Sequence, residues 1–113
     1  LTYVQRTHSG PMDLIFGAPV GKDLEQMAQR LGPEFERISV VAPNSPRACP
    51  VNDVLPHFMP WNPTPYGSVR EALDGADNQR ITLVCGSCYL VGEVRALLAG
   101  QVFPECGIRT TAR

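Results

Sequence analysis

Three short apolar runs, Met12–Phe16, Ile38–Ala42 and Ile81–Cys85, alternate along the chain with segments whose apolar residues recur every three or four positions. Each run is rich in β-forming residues and meets a Gly or Pro at its end, which predicts strands covered on both faces. Between the first two, Leu24, Met27, Ala28 and Leu31 repeat at helical spacing; Asp23 is placed to cap this helix with Gln26 three residues on, and Gly32-Pro33 to stop it. Ser68 and Glu71 form a capping box ahead of the stripe Val69, Ala72, Leu73 and Ala76. Val51, Val54, Leu55 and Phe58 predict a short helix cut by Pro56, with a brief strand over Phe58–Trp61 after it. A last helix, Ser87–Ala99, follows the third strand directly, with Ser87 as its cap and Leu90, Val91, Val94, Leu97 and Leu98 as its stripe. Such alternation predicts an α/β domain: a mostly parallel, Rossmann-like sheet with right-handed crossovers and helices on both faces.

The junction from Ile81 to Leu98 concentrates the chemistry, because a buried strand there runs straight into a Gly-Ser turn that opens a helix. Gly86 lets a ligand approach the backbone, and N–H groups at Gly86 and Ser87 combine with the helix N-terminus into a site suited to a carboxylate or phosphate. The residues Gly86-Ser87-Cys88-Tyr89-Leu90-Val91-Gly92-Glu93-Val94-Arg95 resemble the signature near the C-terminus of folylpolyglutamate synthase and the bifunctional dihydrofolate synthase. Leu14-Ile15-Phe16-Gly17-Ala18-Pro19-Val20-Gly21-Lys22-Asp23 is similar to the strand, glycine turn and Lys-Asp pair of that family's C-terminal domain, and Ala42-Pro43-Asn44-Ser45-Pro46-Arg47-Ala48 resembles its Pro-Arg-Ala loop. These motifs follow the family's order and point to the Mur ligase C-terminal domain type.

The resemblance implies a parent enzyme that uses ATP and Mg²⁺ to convert a pteroate or folate carboxylate to an acyl phosphate, which the amine of L-glutamate attacks. Positioning is most of that task, so the domain is expected to grip glutamate rather than to supply acid–base groups. Arg47, Gly86, Ser87 and Tyr89 fall to substrate binding, since a guanidinium binds a carboxylate in a fork and a hydroxyl donates to one. Lys22 and Asp23, after the first strand, fall to the cofactor side; no catalytic residue and no metal ligand is assigned. Each has a plainer reading: Ser87 and Asp23 as helix caps, Arg47 and Lys22 as solvated loop charges, Tyr89 as a rim aromatic. Glu93 reads as solvent-facing or locally paired, and His57 has no identifiable partner.

In the family the domain opens with a strand ending in Asp-Gly-Ala-His-Asn-Pro, and nothing in Leu1–Gly10 matches it. Leu1 and Val4 look like the last turns of a helix, and His8 follows that helix where the motif histidine would precede it. No Gly-x-x-x-x-Gly-Lys-Ser/Thr phosphate loop occurs either. The expectation is therefore a single domain over residues 1–113, lacking its first strand, inactive alone, with no cofactor of its own and an uncovered surface open to self-association.

Composition changes this picture little. A length of 113 residues fits one core, and a net charge of −1 gives no field for nucleic acid or an anionic membrane. No apolar run has the length of a membrane span or signal-peptide core, so the expected location is cytoplasmic. Eleven prolines are many, but they cluster between Pro43 and Pro65 and mark one irregular excursion. The four cysteines add two rivals. Cys85 and Cys88 form Cys-Gly-Ser-Cys at a strand-to-helix junction, a thioredoxin-like arrangement in which Cys88 would be acidified by the helix, although Cys85 belongs to the apolar run. A zinc site from Cys49, Cys85, Cys88 and Cys106 is weaker, with a single close pair. A Rossmann-like interaction module without catalysis would need none of Arg47, Ser87 or the Lys-Asp pair.

Overall fold

The caps form where their sequence contexts place them. Asp23 Oδ1 accepts the Gln26 N–H at 3.1 Å and starts α1 (Leu24–Leu31), which tightens into a 3₁₀ turn over Gly32–Glu34. Ser68 Oγ accepts the Glu71 N–H at 3.2 Å and starts α3 (Val69–Asp74); the return bond reaches one residue further back than in a standard box, from the Gly67 N–H to Glu71 Oε1 at 3.0 Å. Ser87 Oγ accepts the N–H groups of Tyr89 at 3.1 Å and Leu90 at 3.4 Å and starts α4 (Cys88–Ala99). This computed structural model describes residues 12–77 and 79–99 and the backbone of 109–111. The expected helix at Leu1–Val4, His8 and Cys106 lie outside the described residues.

Two expectations around Pro56 are corrected. The helix α2 (Val51–Phe58) is not cut but runs through Pro56. The proline removes one N–H, whose partner would be the carbonyl of the exposed Asn52, and buried Val54 and Phe58 hold the helix to the core on either side. Phe58–Trp61 is not a strand: Met59–Trp61 is a 3₁₀ turn that ends at Asn62 in the left-handed region, φ 57°, and the strand comes later, at Thr64–Pro65.

The sheet has the order β3-β2-β1-β4-β5, with β1 Met12–Phe16, β2 Arg37–Val40, β3 Thr64–Pro65, β4 Ile81–Cys85 and β5 Arg109–Thr111. The first four are parallel, and β5 pairs antiparallel to β4. The fold is thus α/β and Rossmann-like, as the alternation predicted; β2 begins and ends earlier than the apolar run Ile38–Ala42. β1 is the centre, with Leu14 opposite Ile38 on one side and Leu83 on the other. Its alternate residues feed two cores. Leu14 and Phe16 pack with α1 and α2 through Ala28, Leu31, Val54 and Phe58, while Ile15 packs with α3 and α4 through Val69, Leu73, Leu90 and Val94. Leu97 is partly buried against that second core, but Leu98 leaves the stripe and is exposed. No helix among the described residues is long and apolar enough to cross a membrane.

The strand order matters more for function than the cores. The chain leaves β1 outward to β2 and β3, then returns to the other side of β1 as β4. The gap between β1 and β4 at their carboxyl ends is the switch point at which open parallel sheets bind ligands.

Candidate functional site

At that switch point two glycines let the strands' exits come together. Gly86 takes φ +110°, and a Cβ there would strike the Gly17 carbonyl and approach Phe16 Cε1 at 3.0 Å. The same crowding joins the two exits by a bond from the Gly17 N–H to the Cys85 carbonyl at 3.3 Å. Beyond β1 the chain turns through Pro19–Lys22, and a third segment, the loop Pro43–Ala48, is tied to it in antiparallel fashion. The Val20 N–H donates to the Arg47 carbonyl at 2.8 Å and the Cys49 N–H to the Ala18 carbonyl at 2.8 Å, flanking the bridge from Pro19 to Ala48.

These three segments enclose a cleft of about 670 Å³ lined by Lys22, Arg47, Gly86, Ser87 and Tyr89, together with Pro19, Val20 and Cys88. Five of the six residues assigned from the sequence motifs therefore meet in one cavity, although they come from segments far apart in the chain. The sixth, Asp23, does not line it; its carboxylate caps α1. The cations of Lys22 and Arg47 are exposed and have no ion-pair partner among the described residues, so both can meet an anion. Ser87 Oγ accepts two backbone N–H groups, which leaves its own O–H to donate into the cleft. Tyr89, 61% exposed, and Val20, 50% exposed, form an apolar rim. Neither Pro19 nor Val20 carried a chemical signal that sequence reasoning could have used.

The fold recurs in solved enzymes. Folylpolyglutamate synthase from Thermotoga maritima superposes with a TM-score of 0.72 at 29% sequence identity, over 82% of this chain and 22% of its own. The domain is folylpolyglutamate-synthase-like. The bifunctional folylpolyglutamate synthase/dihydrofolate synthase from Yersinia pestis, complexed with AMPPNP and Mn ion, gives a TM-score of 0.72 at 22% identity over 86% of this chain and 24% of its own. Folylpolyglutamate synthase from Mycobacterium tuberculosis, complexed with ADP and AMPPCP, gives 0.69 at 20% identity, over 82% and 24%. Those two likenesses show the fold, and the chain spans less than a quarter of each of the three enzymes. No family model matches the sequence, and no curated protein matches it.

The folylpolyglutamate-synthase-like domain does not form the Cys85/Cys88 redox pair. Cys88 is disulfide-bonded, but Cys85 is a free thiol, so the two are not joined to each other. Cys85 packs against the α1/α2 core, where burial pushes its pKa from 9.0 up to about 11; Cys49 is raised as well, by burial and then by Asp53. A pKa of about 11 leaves roughly a hundredfold less thiolate at pH 8 than an unburied thiol has. Cys85 is therefore expected to resist iodoacetamide at pH 8 in the native chain and to react once urea is added, as read by mass spectrometry; rapid native labelling would show the thiol open to solvent. Because folding raises this pKa, its contribution to stability is full below pH 9 and is lost as pH rises through about 11. Among the described residues no group of three His, Cys, Asp or Glu side chains could hold a metal ion.

Two polar arrangements were not legible beforehand. Glu93 is half-buried and not local in its pairing: its Oε1 accepts the N–H of Asn44 at 2.7 Å, across to the Arg47 loop. At the opposite, amino-terminal end of the strands, Arg80 forks onto Asp13, Nε to Oδ2 at 2.9 Å and one terminal nitrogen to Oδ1 at 2.7 Å, and reaches Glu36 at 3.1 Å. Asp13 reads as an interruption of an apolar run, and only the sheet register shows which side chain it meets.

Proposed function

We propose that this domain is the glutamate-binding part of an ATP-dependent ligase that adds L-glutamate to dihydropteroate, to folates or to both through an acyl phosphate. The observation that carries the proposal is the cleft at the switch point. Three separate segments bring two cations without an ion-pair partner among the described residues, a hydroxyl donor and a helix N-terminus around one space, a set complementary to the two carboxylates of glutamate. The folylpolyglutamate synthase from Thermotoga maritima, 29% identical, supports this substrate class.

In this reading ATP supplies the phosphoryl group that activates the acceptor carboxylate. The domain's residues bind and orient the nucleophile. Arg47 takes one glutamate carboxylate in a bidentate fork, and Ser87 donates its O–H to the other while the head of α4 offsets its charge. Held so, the free amine attacks the acyl carbon; the C–N bond forms, the C–O bond to phosphate breaks, and the amine's proton passes to solvent. Lys22, on the cleft wall beside the anionic reactants, stabilises negative charge. The charged residues that line the cleft are cations and suit the anionic reactants.

In the full-length ligase, Arg47→Ala and Ser87→Ala are each expected to raise the KM for glutamate roughly tenfold to a hundredfold. That is the effect of losing a charged hydrogen bond worth about 1.5–3 kcal/mol, and the KM for ATP is expected to stay nearly unchanged. Arg47→Lys is expected to recover only part of the loss. Ser87→Ala also removes a cap worth about 1 kcal/mol, so its melting temperature is measured beside its kinetics. Glutamate dependence within about twofold of wild type in both folded Ala variants, equivalent to about 0.4 kcal/mol, would remove these residues from the site.

A further inference from the structure

Arg47 can grip a carboxylate across the cleft from Ser87 only if its loop is held at the right distance from α4, and the loop's own bonds do not fix that distance. Within Pro43–Ala48 the Ser45 N–H donates to the Pro43 carbonyl at 2.8 Å, the Ala48 N–H to the Ser45 carbonyl at 3.1 Å, and the Arg47 N–H to Ser45 Oγ at 3.3 Å. These bonds give the loop a shape but not a place. Its far end is fastened to the β1 exit through Arg47 and Cys49, as described. Its near end leaves β2 with the Val41 N–H donating to the Phe16 carbonyl at 3.0 Å and Pro43 buried, and the span from there to α4 is tied by Glu93, a carboxylate on α4 accepting the Asn44 N–H at 2.7 Å.

We infer that Glu93 is a positioning residue for glutamate binding: it sets the span between Arg47 and Ser87 by tying the arginine's loop to the helix whose first turn carries the serine. This rests on the proposed glutamate site. Glu93 lies in the second turn of α4, and its backbone is fixed by the buried neighbours Val91 and Val94. The helix therefore acts as a ruler, with Ser87 at its cap and the tie to Asn44 one and a half turns below. Reach, more than charge, is the property that Glu93 supplies. A glutamine has the same length and an acceptor oxygen at the same place, whereas an aspartate keeps the charge but is shorter by one methylene.

The test is steady-state kinetics in the full-length ligase, with the KM for glutamate, the KM for ATP and kcat measured for Glu93→Ala, Glu93→Asp, Glu93→Gln, Arg47→Ala and the Arg47→Ala/Glu93→Ala double variant. Glu93→Ala and Glu93→Asp are expected to raise the KM for glutamate roughly tenfold, and Glu93→Gln to stay within about threefold of wild type, with the KM for ATP unmoved in all three. In the Arg47→Ala background, Glu93→Ala is expected to add less than about twofold, because a tie that places a missing guanidinium has nothing left to place. Should Glu93→Ala not fold, Glu93→Asp carries the test, since it keeps the charge and most of the volume. Aspartate equal to wild type, or effects of Arg47→Ala and Glu93→Ala that multiply, would overturn the inference while leaving the glutamate site intact. No change of glutamate KM in Arg47→Ala would overturn the site itself.

Discussion

Replacing Arg80 by Ala is expected to cost the domain about 3–5 kcal/mol, the usual result of leaving a buried carboxylate without its partner. The pair with Asp13 is well shielded: the two side chains are 14% and 10% exposed, and Asp13 holds the guanidinium's pKa above its ordinary value through the two-bond fork. Arg80 is delivered to it by a turn in which the Arg80 N–H donates to the Asp77 carbonyl at 3.1 Å and the Gln79 N–H to Asp77 Oδ1 at 2.8 Å, just before β4 begins. Glu36, 65% exposed, adds little to this. Urea unfolding of Arg80→Ala measures the loss, and the Asp13→Leu/Arg80→Met double variant is expected to recover most of it, because removing both charges leaves neither one stranded. A loss below about 1 kcal/mol in Arg80→Ala would show that water already reaches Asp13.

Gly86→Ala is expected to lower stability by about 3 kcal/mol and with it the melting temperature by roughly 10–20 °C. Two penalties add. At φ +110° an L side chain is strained whatever the space around it, and here the new methyl would also press on the Gly17 carbonyl, which is backbone and cannot swing aside. Gly21→Ala is the control, because Gly21 has φ +91° but nothing within 4 Å of its added Cβ, so it is expected to pay only the conformational part, about 1 kcal/mol. Comparable melting temperatures for the two variants would show that the β1 and β4 exits can separate freely.

The parts of the fold that depend on near neighbours were legible in the sequence. Caps at Asp23, Ser68 and Ser87 and the strands Met12–Phe16 and Ile81–Cys85 depend on side chains within a few residues, and these appear where expected. Pro56 misled because the burial of Val54 and Phe58, a tertiary effect, offsets the local cost of a helical proline, about 3 kcal/mol. In the candidate site, the motif resemblance picked out Lys22, Arg47, Gly86, Ser87 and Tyr89, and the topology then placed them in one cleft. The ties that hold the cleft were invisible for a different reason. Glu93 and Asn44 are separated by two helices, two strands and the first turn of α4, and no local pattern marks which backbone N–H a half-buried glutamate will meet.

The strand order also dictates when this cleft can come into being. β1 pairs with β2 after a short helical crossover, but its other side waits for Ile81–Cys85, so the pairing of Met12 with Ile81 closes a far longer stretch of chain than that of Leu14 with Ile38. Until β4 arrives, β1 presents an open edge, a template that a second chain could occupy. Gly86, Ser87 and Tyr89 are carried in by the carboxyl end of that late strand, and Glu93 by the helix directly after it. On a ribosome the segments that carry Lys22 and Arg47 would thus emerge onto a half-built sheet before their counterparts have been synthesised. The cleft is complete only once this strand–helix unit docks, and any lesion that slows that docking lengthens the time the bare edge of β1 is available to the wrong partner.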